Sequence, residues 1–318
     1  MPFIYEKQDA SKLLPQDWAG YEGEWPDPKW PGGAKIAVTF MIHAEAGAER
    51  HQVNGDPYPE AWLTENNFSG YGSLPHRGGV SASTVYEYET CRAFWNLLDV
   101  FDRYSLPATV SICGRAAEVF KPFVTESESR NYEIITEGYR FIDYFGEDPK
   151  TEDEHIRKSI TAIKEAGKGT IVKSYYMARP THLTEDIVRK AFKEETGEEL
   201  SYSNCFYGDD LPYWGPSGLL YVPMSLDCND QKFVSSPGFS SGVDFYDHVV
   251  GAFDALYSEG IEGSPKMMTI ALHPRLIARP GRLAYLIKVI EHIQQHDGVW
   301  FAKRQEVADH WKKVHPKK

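Results

Sequence analysis

The chain is poor in cysteine and in positive charge, and it has no long hydrophobic run. Its four cysteines (Cys91, Cys113, Cys205 and Cys228) are far apart and share no Cys-x-x-Cys spacing. We therefore expect free thiols in a reducing compartment rather than disulfides or a zinc knot. No apolar stretch approaches the roughly 20 residues of a transmembrane helix. Residues 1–7 lack the pattern of a signal peptide. These features predict a soluble, cytoplasmic protein.

Acidic residues outnumber basic ones, 46 to 34, which gives a formal net charge of −12. This balance argues against a nucleic-acid partner and against an anionic membrane surface, so we expect a small-molecule substrate. The composition is 42% hydrophobic and 14% aromatic, which is ample for one large core. We expect a single domain over residues 1–318, with an irregular N-terminal arm over about residues 1–34.

Apolar runs rich in β-branched residues alternate with helical periodicity from residue 35 onwards. Strands are predicted at 35–42, 108–112, 132–136, 172–176, 199–204, 219–224, 268–272 and 299–301. Helices are predicted at 83–104, 152–166, 184–195, 245–259, 283–296 and 304–313. This alternation predicts parallel strands with crossover helices, in a barrel or a doubly wound sheet. Residues 46–83 form a long loop with little periodicity, and such a loop is usually functional.

The segment 267–282 is the most informative part of the chain. An apolar run ends at His273, and two prolines and three arginines follow it. Catalytic groups tend to lie where strands end and loops begin, so His273 is a candidate catalytic residue. The alternative is a buried or capping histidine in an ordinary strand–loop–helix unit.

Five further loops follow predicted strands and are bounded by glycine or proline. They contain His43 and Glu45; Glu137, Arg140 and Asp143; Arg179; the segment 207–214; and the segment 225–230. If the strands are parallel, all these loops gather at one face and form a small-molecule site. Glu45 and Glu137 directly follow apolar strands, where a solvated charge is not expected, and this favours them as site residues.

Several of these residues also have a purely structural interpretation. Arg140 and Asp143 are three positions apart and can pair across a turn. Asp210, next to a second aspartate and before Leu-Pro, is more typical of a turn or a helix cap. Tyr86 is more typical of a core or an interface, although it is also a candidate substrate contact.

Six ordered segments together resemble the polysaccharide deacetylase superfamily: WPGGAKIAV (30–38), YEY (86–88), GYRFIDY (138–144), DDLPYW (209–214), SLDCND (225–230) and LHPRLIARPGR (272–282). They are most similar to the branch with allantoinases that need no metal and to a related peptidoglycan deacetylase-like group. The resemblance covers about residues 25–312. It implies a distorted (β/α) barrel of the NodB-homology type with fewer than eight strands. It also implies a homo-oligomer that hydrolyses a carbon–nitrogen bond other than a peptide bond.

The chain departs from the metal-dependent members of that superfamily. Their Asp-Asp pair after the first strand corresponds here to Met41 or Ile42 followed by His43. Their two histidines, four positions apart, correspond to Glu137 and Phe141, and a phenylalanine cannot bind a metal. The usual Asp/His/His ligand set is therefore not present.

A catalytic zinc site needs three protein ligands and one open position. His43, Glu137 and His273 are weak candidates for such a set, and Glu45 is another choice for the third ligand. The resemblance to the metal-independent branch implies no cofactor, and one divalent metal ion such as zinc is the alternative.

Amide hydrolysis without a metal needs a polarised carbonyl, an activated water and a protonated leaving nitrogen. Arg140 and Arg179 are candidates to polarise the carbonyl, and one such donor is worth about 3 kcal/mol of barrier. Glu45 or Glu137 would take a proton from water, and His273 would give it to the nitrogen or share the role of base. A strained five-membered cyclic amide suits such a site better than an unstrained N-acetyl group.

The candidate catalytic residues are Glu45, Glu137, Arg179 and His273. The candidate substrate contacts are His43, Tyr86, Arg140, Asp143, Asp210, Trp214 and Arg275. Three functions stay open: a hydrolase of a small cyclic or linear amide, a polysaccharide or N-acetyl deacetylase with an altered metal site, and a non-catalytic small-molecule-binding barrel. If the first is right, His273→Ala and Glu137→Gln should each lower turnover by at least about a hundredfold.

Overall fold

The computed structural model of the protein describes residues 19–57, 59–60, 64–65 and 80–317, with side chains left undescribed at 80–82. Residues 1–18 of the predicted N-terminal arm and most of residues 58–79 in the predicted long loop lie outside the described residues. Among the described helices, none combines the length and the hydropathy that a bilayer-spanning helix needs.

One nine-stranded sheet forms the centre of the fold. Its strands are β1 (Ile36–Ala44), β2 (Thr109–Ile112), β3 (Glu133–Thr136), β4 (Ser174–Tyr175), β5 (Tyr202–Ser203), β6 (Tyr213–Trp214), β7 (Leu220–Tyr221), β8 (Lys266–Leu272) and β9 (Val299–Ala302). They follow the order β6-β7-β5-β4-β3-β2-β1-β8, and β9 also pairs with β1. The pairs are parallel, except that β6 runs antiparallel to β7. The predicted parallel sheet is confirmed.

Helices lie in many of the connections between the strands. They are α1 (Val80–Tyr88), α2 (Phe94–Tyr104), α3 (Gly114–Val119), α4 (Pro122–Ser129), α5 (Pro149–Ala166), α6 (Thr184–Thr196), α7 (Gly242–Ile261), α8 (Pro274–Ile277), α9 (Pro280–Gln294) and α10 (Arg304–Val314). Short 3-10 turns lie at Pro31–Gly33, Gln52–Asn54, Leu226–Cys228 and Asp230–Phe233. One π turn, Glu89–Ala93, joins α1 to α2, so the predicted helix 83–104 is continuous but changes its winding.

The sheet curls into the predicted distorted barrel. A bridge between Asn229 and Ala271 joins the segment after β7 to β8, which brings the two ends of the strand order together. The barrel type is confirmed, but the sheet has nine strands rather than fewer than eight. The lower number was implied by the family resemblance, whereas the residue patterns predicted eight strands. Of the nine observed strands only β6, with two residues, was not predicted.

Strand β1 explains why the site forms inside the barrel. All nine of its residues are buried, and Phe40 and Ile42 belong to the main hydrophobic core. Met41 belongs to a separate cluster that includes Ile135 of β3 and Ala271 of β8. Because successive side chains of a strand point to opposite faces, His43 lies on the same face as Met41, inside the barrel.

A fully buried arginine fills part of the barrel interior. Arg304 Nε donates to Asn204 Oδ1 at 2.5 Å, and Nη2 donates to the Pro223 carbonyl oxygen at 3.0 Å. Its Nη1 donates to the hydroxyl of Thr269. Arg304 therefore ties the segments after β5 and β7 to β8 through buried hydrogen bonds.

Candidate active site

Two histidines at the ends of neighbouring strands form the centre of the site. Strands β1 and β8 pair with Ile42 beside Leu272, so His43 and His273 follow side by side. Their rings stack with centroids 4.5 Å apart and planes 9° apart. They are 0% and 2% exposed. The parallel sheet thus brings two histidines from distant parts of the sequence into one buried place.

A carboxyl group engages the Nδ1 atom of each histidine. Glu137, directly after β3, lies 3.0 Å from His43 Nδ1. Asp230 lies 2.6 Å from His273 Nδ1 and accepts the backbone N–H of His273 at 2.7 Å. Each ring therefore presents Nε2 to the rest of the site. His43 Nε2 has no hydrogen-bond partner among the described residues, and His273 Nε2 lies 3.6 Å from Glu45 Oε1.

Glu45 is fixed by an ion pair with Arg275. Its Oε2 accepts a short hydrogen bond from Arg275 Nη1, which also lies 3.7 Å from Glu89 Oε2. Glu89 Oε1 accepts the backbone N–H of Glu45 at 3.0 Å. The ring of Tyr86 packs 4.8 Å from the Arg275 guanidinium. Glu45 thus has one oxygen bound to Arg275 and the other turned toward His273.

Burial sets the protonation of these groups. It lowers the pKa of His43 to about 4 and the pKa of His273 well below its usual value. Burial raises the pKa of Glu137 to about 8 and that of Asp230 to about 7. Near pH 7 both rings are neutral, and their carboxyl partners titrate close to neutrality. We call His43, Glu45, Glu137, Asp230 and His273 the histidine cluster.

Three donor atoms of the histidine cluster fit a divalent metal ion. One ligand atom each from His43, Glu45 and His273 lie within 4.8 Å of one another. Nitrogen and oxygen sets of this kind suit zinc, and carboxylates on Nδ1 are the usual outer partners of metal-binding histidines. The predicted candidates were His43, Glu137 and His273, with Glu45 as another choice for the third ligand. The structure groups Glu45 with the two histidines and places Glu137 Oε2 3.0 Å from His43 Nδ1.

Two arginines flank a phenylalanine beside the cluster. The guanidinium carbons of Arg179 and Arg275 lie 5.4 and 5.8 Å from the centroid of Phe141. Arg179 Nη1 donates to Asp143 Oδ2 at 3.1 Å, and burial lowers the pKa of Arg179. The position that the resemblance aligns with the second histidine of metal-dependent members thus holds an apolar ring with two cations near it. Arg179 and Asp143 lie next to the cluster.

Arg140 fixes a loop instead of facing the cluster. Its Nε donates to the Ala48 carbonyl oxygen at 2.9 Å, and its Nη2 donates to the Glu49 carbonyl oxygen at 3.0 Å. Nη2 also forms an ion pair with Asp56. The predicted role of Arg140 in polarising a carbonyl is corrected, because these donors are engaged by the loop that follows β1.

Asp210 and Trp214 were predicted as substrate contacts, but they do not lie with the cluster. The Asp210 carbonyl oxygen accepts the N–H of Met267 at 2.9 Å, at the amino end of β8. Trp214 Nε1 donates to the His315 carbonyl oxygen at 2.9 Å. With about 3.3 Å per strand residue, the amino end of the seven-residue β8 is about 20 Å from His273. The segment after β5 crosses to this end before β6 begins.

The sequence did not single out Glu89 and Asp230 as site residues. Asp230 belongs to the SLDCND segment that was recognised as a motif, and its position after a strand was the available signal. Glu89 lies in the π turn, where burial raises its pKa to about 8. A π turn shifts the helical register, so periodicity gives no signal for it, although such turns are frequent at functional sites.

No protein-family model matches the chain. A Schizosaccharomyces pombe protein named "Putative polysaccharide deacetylase" is 37% identical over 317 residues, which cover 95% of this chain and 98% of that protein. The chain belongs to the polysaccharide deacetylase superfamily. A "probable polysaccharide deacetylase" of Pseudomonas aeruginosa PAO1 is 36% identical, with a TM-score of 0.89 over 96% of this chain and 100% of that chain. The PuuE allantoinase is 35% identical, with a TM-score of 0.89 over 96% and 99% of the two chains.

These relatives confirm the resemblance that the six sequence segments indicated. The deacetylase and allantoinase relatives are hydrolases that act on carbon–nitrogen bonds other than peptide bonds. The chain is an enzyme of this class.

Proposed function

We propose that the chain hydrolyses a carbon–nitrogen bond of a small cyclic amide, as an allantoinase or a cyclic imidase does. One observation carries this proposal: two buried histidines have their Nδ1 atoms engaged by carboxyl groups, and their Nε2 atoms are turned toward the site that holds Glu45. The similarity to the PuuE allantoinase over nearly the whole of both chains supports it.

The enclosure of the histidine cluster favours a small substrate. Its members are between 0% and 3% exposed. The ring of Tyr176 packs 4.8 Å from that of His43, and Tyr86 is buried beside Arg275. A site closed by aromatic rings suits a molecule that it can surround, whereas a long polymer needs an open groove.

His273 and Glu45 are placed to activate a water molecule. When the His273 Nδ1–H donates to the Asp230 carboxylate, the lone pair of Nε2 is free to accept a proton. A water beside His273 Nε2 and Glu45 Oε1, which are 3.6 Å apart, gives up a proton as its oxygen bonds to the carbonyl carbon. Asp230 then stabilises the imidazolium that forms.

The same proton completes the reaction. As the carbon–nitrogen bond breaks, His273 gives the proton to the leaving nitrogen, so that one water has been added across the bond. His43, whose Nδ1 is bound to Glu137, directs Nε2 to the substrate as a hydrogen-bonding group. Strain in a five-membered ring lowers the barrier to this step.

Two arginines have different roles in this proposal. Arg275 is a positioning residue, because it holds Glu45 through a buried ion pair. Arg179 stays charged and, like Arg275, lies close to the ring of Phe141, so we assign the polarisation of the substrate carbonyl to it. One donor of this kind is worth about 3 kcal/mol of barrier.

A second candidate function is the deacetylation of an N-acetyl group with a metal ion. It is favoured by the three donors of His43, Glu45 and His273, which would hold the ion. When bound there, a divalent ion supplies a more acidic water and a polarised carbonyl, so the reaction no longer depends on ring strain.

A substrate screen with and without metal tests both functions. The full chain is assayed after EDTA treatment and again with added Zn²⁺, against hydantoin-type rings, cyclic imides and N-acetyl sugars. We expect ring opening that persists after chelation. Release of acetate that requires Zn²⁺ would instead support the second function. Binding of these compounds without turnover would contradict both and would favour a non-catalytic barrel.

We also propose a cytoplasmic homo-oligomer that has no nucleic-acid or membrane partner. The four free cysteines support a reducing compartment, and the net charge of −12 disfavours polyanionic partners. Sedimentation of the purified chain measures the oligomeric state, and a monomer at micromolar concentration would contradict that part of the proposal.

A further inference from the structure

A second group of metal-ligating side chains lies outside the barrel, on α7 and α9. Asp254 belongs to α7, His292 belongs to α9, and His296 follows two residues after the end of α9. One ligand atom of each lies within 4.8 Å of those of the other two. We propose that Asp254, His292 and His296 bind a divalent transition-metal ion of the zinc class. We call them the helix-pair site.

The sequence spacing places both histidines on one side of the chain. His292 and His296 are four positions apart, the spacing at which side chains of a helical turn share a face. The turn continues past the end of α9, because the N–H of His296 donates to the Ile293 carbonyl oxygen at 3.1 Å. The two ring centroids are 4.9 Å apart. Helix α7 packs along α9, so Asp254 supplies a third ligand from across the helix pair.

Hydrogen bonds orient the ligands of the helix-pair site. His292 Nε2 lies 2.7 Å from Asp254 Oδ1. His296 Nδ1 donates to the carbonyl oxygen of His292 at 2.9 Å, which leaves the lone pair on Nε2. A bond from Nδ1–H to a backbone carbonyl is a usual outer interaction of metal-binding histidines, because it fixes both the tautomer and the ring direction.

Aromatic side chains of α7 pack against the two imidazole rings. The centroid of Phe253, a fully buried residue of α7, lies 5.9 Å from that of His292 and 5.0 Å from that of His296. Tyr257 packs edge-on against His296 at 4.9 Å. The rings are part-buried and Asp254 is exposed, so an ion can enter from solvent without moving the helices.

The donor set indicates which ions fit. Two imidazole nitrogens and one carboxylate oxygen suit zinc, nickel, cobalt or copper rather than magnesium or calcium, which prefer oxygen ligands. With three protein ligands, the fourth position is open to water. Since α9 begins near His273 and rises about 1.5 Å per residue, His292 lies roughly 18 Å along the helix from that end. A bound ion would therefore join α7 to α9 and would leave the histidine cluster unchanged.

Calorimetric titration of the EDTA-treated full chain with Zn²⁺ tests the helix-pair site. The variants are His296→Ala and Asp254→Ala, which replace a part-buried and a half-exposed side chain. The matched control is His248→Ala, which removes an exposed histidine of α7 that has one carboxylate partner, Asp227, at 3.6 Å. Titration of Glu45→Gln distinguishes zinc that is bound by the histidine cluster from zinc that is bound by the helix-pair site.

We expect His296→Ala to lose one equivalent of bound zinc or to bind it at least tenfold more weakly. Asp254→Ala should also bind zinc more weakly than the wild type. His248→Ala should bind like the wild type, and the effects of Glu45→Gln and His296→Ala should add. Zinc should raise the melting temperature of the wild type but raise that of His296→Ala less. Undiminished stoichiometry and affinity in both His296→Ala and Asp254→Ala would overturn the proposal, as would binding by the wild type at only millimolar zinc.

Discussion

Replacing Asp230 by Asn changes the charge of the histidine cluster while almost preserving its shape. In the wild type, Asp230 Oδ1 lies 2.6 Å from His273 Nδ1, and Oδ2 accepts the His273 backbone N–H at 2.7 Å. An asparagine can accept only one of these bonds. If its oxygen stays on the backbone N–H, its amide nitrogen faces Nδ1 and donates to it. The ring proton of His273 then moves to Nε2.

The consequence is the loss of the proton acceptor. Water can no longer transfer a proton to Nε2, and the imidazolium loses its stabilising carboxylate. The same substitution in a Ser-His-Asp triad lowers kcat by about 10⁴. We expect a loss of about 10³ to 10⁴ in kcat here, which corresponds to roughly 4–5.5 kcal/mol of barrier. KM should change little, because Asp230 contacts the ring and not the substrate.

The fold should tolerate this substitution. Burial raises the pKa of Asp230 to about 7, so the charged carboxylate is energetically unfavourable in the folded state. The neutral asparagine removes that penalty. Lost activity in Asp230→Asn can therefore be separated from unfolding by recording thermal unfolding on the same samples.

Steady-state ring opening of the best cyclic amide measures the effect. The matched control is Asp227→Asn, three positions earlier in the same segment, with its side chain 54% exposed. We expect this control to keep wild-type kcat. A folded Asp230→Asn variant with kcat within tenfold of the wild type would refute the assignment of His273 as proton acceptor. Equal losses in both variants would indicate damage to the segment instead.

Three further predictions concern stability. Glu137→Gln should become more stable relative to wild type as pH rises from 5 to 8, measured by denaturant titration. Burial raises the folded-state pKa of Glu137 from 4.5 to about 8, so its contribution is complete below pH 4.5 and is lost as pH rises through 8. Arg275→Met should lower the free energy of unfolding by about 3–5 kcal/mol, because it leaves buried carboxylates without their cation, and adding Glu89→Gln should recover part of it. Arg304→Met should destabilise by at least about 1–3 kcal/mol, because buried acceptors lose their donor.

Each of these predictions has a contrary outcome. A stability difference between Glu137→Gln and wild type that is the same at pH 5 and pH 8 would mean that Glu137 titrates alike in both states. Strictly additive effects of Arg275→Met and Glu89→Gln would mean that the two residues do not interact. A wild-type melting temperature in Arg304→Met would mean that the barrel interior does not depend on this arginine.

Most of the fold could be predicted from the sequence, because the long elements have strong patterns. The predicted strands 35–42 and 268–272 correspond to β1 and β8, which are mostly apolar and are buried along their whole length. Their parallel pairing brings His43 and His273 together, as the gathering of loops at one face predicted. The helices predicted at 184–195 and 304–313 agree with α6 and α10 within one residue at each end.

The remaining elements lack a pattern of their own. Helices α3 and α4 over residues 114–129 were not predicted, because they are six and eight residues long. Strand β6 has two residues and is part-buried, and no alternation can develop over that length. These short pieces are formed by tertiary packing, which overrides weak local preferences.

The candidate site shows the same division. Glu45 and Glu137 could be predicted, because a charge directly after an apolar strand needs a partner. The sequence could not decide between Glu45 and Glu137 as a possible metal ligand, since this depends on which carboxylate meets Nδ1 of His43. The bonds between Arg140 and the loop after β1 also depend on three-dimensional distance, and no sequence pattern reports it.

Hydrolysis of a hydantoin-type ring in H₂¹⁸O tests the central proposal most directly, with wild type, His273→Ala and Asp210→Asn compared side by side. Asp210 lies at the opposite end of β8 and serves as the control. We predict one ¹⁸O in the new carboxyl group of the opened ring, a loss of at least about a hundredfold in His273→Ala, and an unchanged rate in Asp210→Asn. Full activity in a folded His273→Ala variant, or an equal loss in Asp210→Asn, would contradict the proposal that the histidine cluster performs the reaction.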